Sequence, residues 1–152
     1  MKTLFFTALT TGILSAVWAF VANQFGLLSW AGFLGCTAYF AYPKEGLKGL
    51  AVTIATMMSG VIWALAIIYG SNLFNDTSIL GYAITGVIAF VMCIQAKSTL
   101  LAYIPGTFIG ACTLFAAQDN LPQIIISLIV GVLFGYSMKM SGLWVAQRWR
   151  TA

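Results

Sequence analysis

Residues 47–70 read LKGLAVTIATMMSGVIWALAIIYG, with a single charge, Lys48, at the edge of the run. A helix that crosses the hydrocarbon of a bilayer needs roughly 20 consecutive apolar residues, and this run supplies them without interruption. Water is absent at that depth, so the backbone must satisfy its own N–H and C=O groups, which a helix does within one segment. The same reading extends outward in both directions, to apolar runs at 4–22, 26–42, 79–94, 99–117 and 121–143, each bounded by polar or charged residues. Runs 26–42 and 79–94 stand at the short end of what a bilayer accepts. The sequence therefore predicts an all-α, polytopic membrane helix bundle of six transmembrane helices forming one membrane-embedded domain over 1–152.

Composition agrees. Of 152 residues, 61% are hydrophobic and 7% charged, against about 25% charged in a soluble domain, and six spans with short turns leave no room for a soluble domain. The net charge of +4 does not make a nucleic-acid surface, because the seven Lys and Arg are spread thinly between apolar runs and form no basic face. Their distribution orients the chain instead. Lys2, Lys44, Lys48, Lys97, Lys139, Arg148 and Arg150 all fall on one side of a six-span topology, while Asn23, Gln24, Asn75, Asp76, Gln118 and Asp119 fall on the other. Basic residues beside helix ends favour the cytoplasmic side, so both termini are expected in the cytoplasm. Run 4–22 has a second reading as a secretory signal, with Val17-Trp18-Ala19 as the cleavage site, but it is longer than a usual signal core of about 7–15 residues.

Histidine is absent and Glu45, Asp76 and Asp119 lie between the apolar runs, so the membrane interior holds no general base and an enzyme is not expected. Cys36, Cys93 and Cys112 sit inside apolar runs and behave as small hydrophobes; no zinc set can be completed from them. Met57, Met58, Met138 and Met140 could offer thioethers to copper(I), but adaptable packing explains them better. No metal and no cofactor is expected.

The most informative local feature is Ile104-Pro105-Gly106-Thr107 inside run 99–117. Proline removes an amide donor where glycine loosens the backbone, so span five is expected to break there, freeing carbonyls near Leu101 and Ala102 and amides near Thr107. A structural kink is the competing reading. Among the intramembrane hydroxyls, those on spans three and five are singled out: Thr56, with Ser59 on the same span, lies within one residue of the position that a 50-residue repeat gives Pro105-Gly106, Thr107 follows the break directly, and Gln95 offers an amide at the cytoplasmic mouth. Pro105, Gly106, Thr107, Thr56, Ser59 and Gln95 form the expected solute pathway. Gly106 with Gly110 and Gly131 with Gly135 are spaced for close helix packing. A shift of 50 residues lays Phe40 on Phe90, Leu50 on Leu100, Gly60 on Gly110 and Ala66 on Ala116, a weak parallel repeat of spans two and three on four and five.

The segments Trp30-Ala31-Gly32-Phe33, Ala38-Tyr39-Phe40-Ala41, Gln95-Ala96-Lys97 and Ile104-Pro105-Gly106-Thr107-Phe108-Ile109-Gly110 together resemble the YcdZ-like family of small bacterial inner-membrane proteins, domain of unknown function 1097. That resemblance implies a bacterial inner membrane and transfers no substrate and no catalytic residue. From the residues themselves, a bundle without fixed intramembrane charge and with one broken helix suits passive passage better than ion-coupled pumping. The expected function is a channel or facilitated-diffusion permease for a neutral, amide-like solute such as urea or for a small weak acid or base. The expected partners are the lipid bilayer, the small solute and further copies of the chain in a homo-oligomer. The alternative is a non-transporting accessory subunit that packs through its small-residue faces.

Overall fold

A computed structural model describes residues 2–73, 79–117 and 120–151. Asn75, Asp76, Gln118 and Asp119, which the charge pattern placed on the outer side, lie outside the described residues. The chain is all-helical there: α1 (Lys2–Gln24), α2 (Ser29–Ala41), α3 (Gly46–Asn72), α4 (Ile79–Ile94), a 3-10 turn (Gln95–Lys97), α5 (Ile104–Ala116) and α6 (Leu121–Thr151). Four stretches are long and apolar enough to cross a membrane, Thr3–Gln24, Gly46–Asn72, Ile79–Lys97 and Leu121–Trp149. At 1.5 Å per residue the 13-residue helices α2 and α5 reach only about 20 Å, short of a hydrocarbon core of about 30 Å.

Two compact units make up the chain, one of 1–50 with 122–152, the other of 51–121. In the first unit α2 lies on α6 so closely that backbone meets backbone. A Cβ at Gly131 would fall on the Gly32 carbonyl, one at Gly35 on the Leu128 carbonyl, and one at Gly135 on the backbone of Cys36. The Cys36 thiol donates to the Gly131 carbonyl at 3.1 Å. α1 joins through Thr10, whose hydroxyl is 3.0 Å from the Met138 carbonyl, and through Gly142 of α6, which meets the Thr7 backbone. α1 ends in a left-handed turn at Gly26, φ 61°, with the Leu27 amide donating to the Ala22 carbonyl at 2.8 Å and the Gly26 amide to Asn23 at 3.4 Å. These two bonds close a Schellman motif, which needs a residue that tolerates positive φ.

α6 runs well beyond the expected limit of 121–143. Lys139, inside the helix on either bound, is half-buried, 3.4 Å from the exposed Glu45 carboxylate and 5.8 Å from the centre of the Tyr39 ring. Beyond it α6 stays helical to Thr151, and Trp149 stacks on Phe6 of α1, centroids 5.8 Å apart.

In the second unit α3 and α5 cross in the same manner. A Cβ at Gly60 would meet the Thr107 carbonyl and one at Gly110 the Met57 carbonyl. Span five is not a helix with a proline kink inside it. Residues 98–103 are non-helical and α5 begins at Ile104, so Pro105 occupies the first turn, where its missing N–H would have had no helical partner anyway. The helix bounds also do not repeat at 50 residues: that shift lays the unbroken α3 across the non-helical 98–103.

Candidate functional site

Three elements of the second unit bring polar side chains to one point. Gln95 opens the 3-10 turn that ends α4, and the tighter winding of that turn sets where its side chain points. Its carbonyl oxygen accepts from the Ser59 hydroxyl and from the Trp63 indole N–H, both at 2.8 Å. Its amide nitrogen donates to the Thr107 hydroxyl oxygen at 2.9 Å. Ser59 and Trp63 are four residues apart on α3 and so share a face, while Thr107 is fully buried at the start of α5. Both lone pairs of the Gln95 oxygen are therefore engaged by donors and one of its two amide N–H groups by an acceptor, so the cluster meets three of the four hydrogen-bonding positions of one carboxamide.

Of the residues expected on the pathway, Ser59, Gln95 and Thr107 meet directly. Thr56 is fully buried, but its hydroxyl turns back on its own helix, 2.8 Å from the Val52 carbonyl. Gly106 is buried under the Tyr103 ring and the Thr56 hydroxyl, with no room for a Cβ. Pro105 is exposed and shapes the site only by starting α5. The amides expected to be open near Thr107 are paired, since Gly106 and Thr107 both donate to the Tyr103 carbonyl, at 3.1 and 3.3 Å. The Ala102 carbonyl accepts from the Ile104 amide at 3.2 Å. The break thus supplies a positioned hydroxyl, Thr107, rather than bare backbone.

Trp63 escaped the sequence reading. A signal was available, because an indole N–H at membrane depth needs an acceptor and Trp63 shares the α3 face of Ser59. What sequence could not supply was the direction of the Gln95 side chain, which depends on the 3-10 turn. The paired glycines Gly106, Gly110, Gly131 and Gly135 all spend their closeness inside the units, as described above. The first unit holds a separate cavity of about 250 Å³ whose lining includes Thr11, Ser15, Cys36, Thr37 and Met138, none of them a residue of the Gln95 cluster. Among the described residues no group of three or more acidic, histidine or cysteine side chains gathers as a metal site, and the three cysteines are free, Cys36 buried and Cys93 and Cys112 exposed.

Long apolar helices, apolar side chains such as Phe5, Ile13, Tyr82 and Phe90 turned outward, and polar groups gathered inside define a polytopic helical membrane protein that contacts the lipid bilayer. Residues 8–143 match the family described as "Protein of unknown function (DUF1097)", and the chain belongs to it. It is 61% identical to the "Inner membrane protein YcdZ" of Escherichia coli (strain K12) over 148 residues, 97% of this chain and 91% of that one. It is 55% identical to the protein of the same name from Salmonella typhimurium, covering 97% and 92%. A more distant relative, the "Uncharacterized protein YahC" of Escherichia coli, is 26% identical over 90% of this chain and 88% of its own. No solved structure matches. The relatives place the chain in the inner membrane as a multi-pass protein of unknown function.

Proposed function

We propose that this protein is a passive facilitator for a small neutral solute of the carboxamide or urea type, working in the inner membrane without catalysis. The observation that supports this reading is the Gln95 receptor. Ser59 and Trp63 aim two donors at a carbonyl oxygen, and Thr107 offers an acceptor to an amide N–H. These are the complements of any carboxamide, so the groups that hold Gln95 would hold urea or a short amide equally well once the Gln95 side chain swings aside. Gln95 then acts as a tethered surrogate of the solute, closing the site when none is present. The absence of an intramembrane carboxylate in the sequence suits a neutral substrate and an uncoupled route.

The accessory-subunit alternative relied on the small-residue faces for docking, and of those the Gly106–Gly110 and Gly131–Gly135 pairs are taken up within the units. With 152 residues the protomer is small, and we place the working form as a homo-oligomer with both termini in the cytoplasm, in keeping with the seven basic residues on one side. Stopped-flow swelling of vesicles containing only this protein tests the function. Urea and acetamide should enter faster than through protein-free vesicles while sodium and chloride do not, and Gln95→Leu should alter amide entry. Amide entry equal to that of empty vesicles sinks the proposal. A monomeric mass in mild detergent together with no cross-linking in native membrane removes the oligomer.

A further inference from the structure

The bounds of the helices carry a regularity that the 50-residue echo hides. Adding 75 to the bounds of α2 (Ser29–Ala41) gives those of α5 (Ile104–Ala116), and adding 75 to the first residue of α3, Gly46, gives the first of α6, Leu121. The same shift lays Thr10 on Thr85, Phe33 on Phe108, Gly35 on Gly110, Phe40 on Phe115 and Gly60 on Gly135. Paired helices also share their surroundings: the most apolar stretches of α1 and α4 are 6% and 11% buried, those of α3 and α6 39% each.

The contacts follow the same shift. Gly35 of α2 rests on α6 between the Leu128 carbonyl and the Val132 amide, and its counterpart Gly110 of α5 rests on α3 at Met57, the counterpart of Val132. Gly135 of α6 rests on Cys36, and its counterpart Gly60 of α3 rests on Thr107 and on Ala111, the counterpart of Cys36. The helix that α2 uses is thus the third helix of the other half. Carried to the Gln95 receptor, the shift replaces Thr107 by Gly32, Ser59 by Phe134 and Trp63 by Met138. What lies between Gly32 and Phe134 is Trp18: its ring covers Gly32 where a Cβ would stand, and it packs on Phe134 with centroids 5.5 Å apart. Trp18 is fully buried and its indole N–H donates to the Ser29 carbonyl at 3.0 Å. The numerical counterpart of Gln95 is Phe20, which points outward, 65% exposed. α1 stays α-helical through Gln24, whereas α4 gives way to the 3-10 turn, and the different winding changes which residue turns inward.

We propose that the chain is one three-helix unit written twice at an offset of 75 residues, with the third helices exchanged, and that the Trp18 seat is the stoppered counterpart of the Gln95 receptor. Each copy has an odd number of helices. In the six-span reading the second copy therefore enters the membrane from the side opposite the first, as in transporter repeats of inverted topology, and not in the parallel sense that a 50-residue shift implies. Only one copy then carries an amide receptor, and the chain has a single polar station of this kind. The stopper rests on the amide-receptor reading above; the duplication does not.

Two experiments on the full chain test this without measuring flux. In a cysteine-free background, Tyr39→Cys with Tyr136→Cys should cross-link within one chain, since these rings lie 5.7 Å apart on α2 and α6. Leu114→Cys with Val61→Cys, the counterpart pair at an offset of 75 residues on α5 and α3, should cross-link likewise. Failure of either pair to cross-link in a folded chain overturns the exchange. In the second experiment, Trp18→Gln with Gly32→Thr and Phe134→Ser is compared with Trp18→Leu in the same two-substitution background. If the seats are equivalent, the new amide finds both hydroxyls and the Gln-bearing chain unfolds several degrees higher than the Leu-bearing one. An equal or lower midpoint means a buried amide without partners and overturns the equivalence of the seats. Should both backgrounds fail to fold, Trp18→Gln against Trp18→Leu in a chain with Phe134→Ser alone gives the same comparison with less added volume. Loss of amide flux in vesicles would leave both results standing.

Discussion

The first turn of α2 places the Leu28 amide 2.9 Å from the Ser127 hydroxyl of α6, whereas the first turn of α5 contains Pro105, which has no amide to place, and ties Gly106 and Thr107 to the Tyr103 carbonyl. Both helices are short, 13 residues each, and both begin where an unpaired donor costs several kcal/mol. α2 solves the problem by borrowing from another helix, so its start depends on how the unit packs. α5 solves it locally, so its start is written in its own sequence. The two are alike only further along, where each rests glycine on the backbone of a long partner.

That likeness sets the largest expected effect. Gly131→Val and Gly60→Val each force a side chain into a neighbouring carbonyl, and each should cost more than about 4 kcal/mol, read as loss of monodisperse protein in size-exclusion chromatography. Normal elution of either variant would break the parallel between the two crossings. Next comes Gln95→Leu, which strands the Trp63 indole N–H and the hydroxyls of Ser59 and Thr107. At about 1 kcal/mol for each buried group left unmade, the loss should be on the order of 2–3 kcal/mol, with a change in Trp63 fluorescence that Gln95→Asn, too short to reach, reproduces.

Smaller still is Ser127→Ala. It leaves the Leu28 amide without its partner, and a hydrogen bond between membrane helices is worth about 0.6–1.7 kcal/mol. Deuterium uptake at the start of α2 should rise while α5 is unchanged. The smallest effect is expected of Pro105→Ala, under about 0.5 kcal/mol, because proline in a first turn neither breaks a bond nor clashes. A gain of several kcal/mol would mean that the residue interrupts a continuous helix after all.

These contrasts also mark how far the sequence was legible. Six helices, their order and the absence of intramembrane charge could be read directly, since apolar runs between polar residues are a one-dimensional signal. Ser59, Gln95 and Thr107 could be named, because polar groups are few at that depth. The start of α5 could not be placed, since a Pro-Gly pair reads equally as a kink and as a first turn. The partner of each glycine lay hidden too, because spacing tells which face is small and not what covers it. The 75-residue register was written in matching glycines, but among so many apolar residues a 50-residue shift produces matches as readily.

α6, at 31 residues, measures about 46 Å, half as long again as the hydrocarbon it has to cross. Its last turns carry Trp144 with the Arg148 guanidinium 4.4 Å from its ring centre, a pair suited to the headgroup zone, and Trp149 ties that end to α1. A rod of this length cannot shorten, and accommodates a thinner bilayer by leaning. Because Gly32 and Gly35 lock α2 onto it, α2 would lean with it. Acyl-chain length is therefore a physical variable to which this protein should respond: in vesicles of short-chain lipid the tilt of α6, read by oriented spectroscopy, should increase, and α2 should follow it.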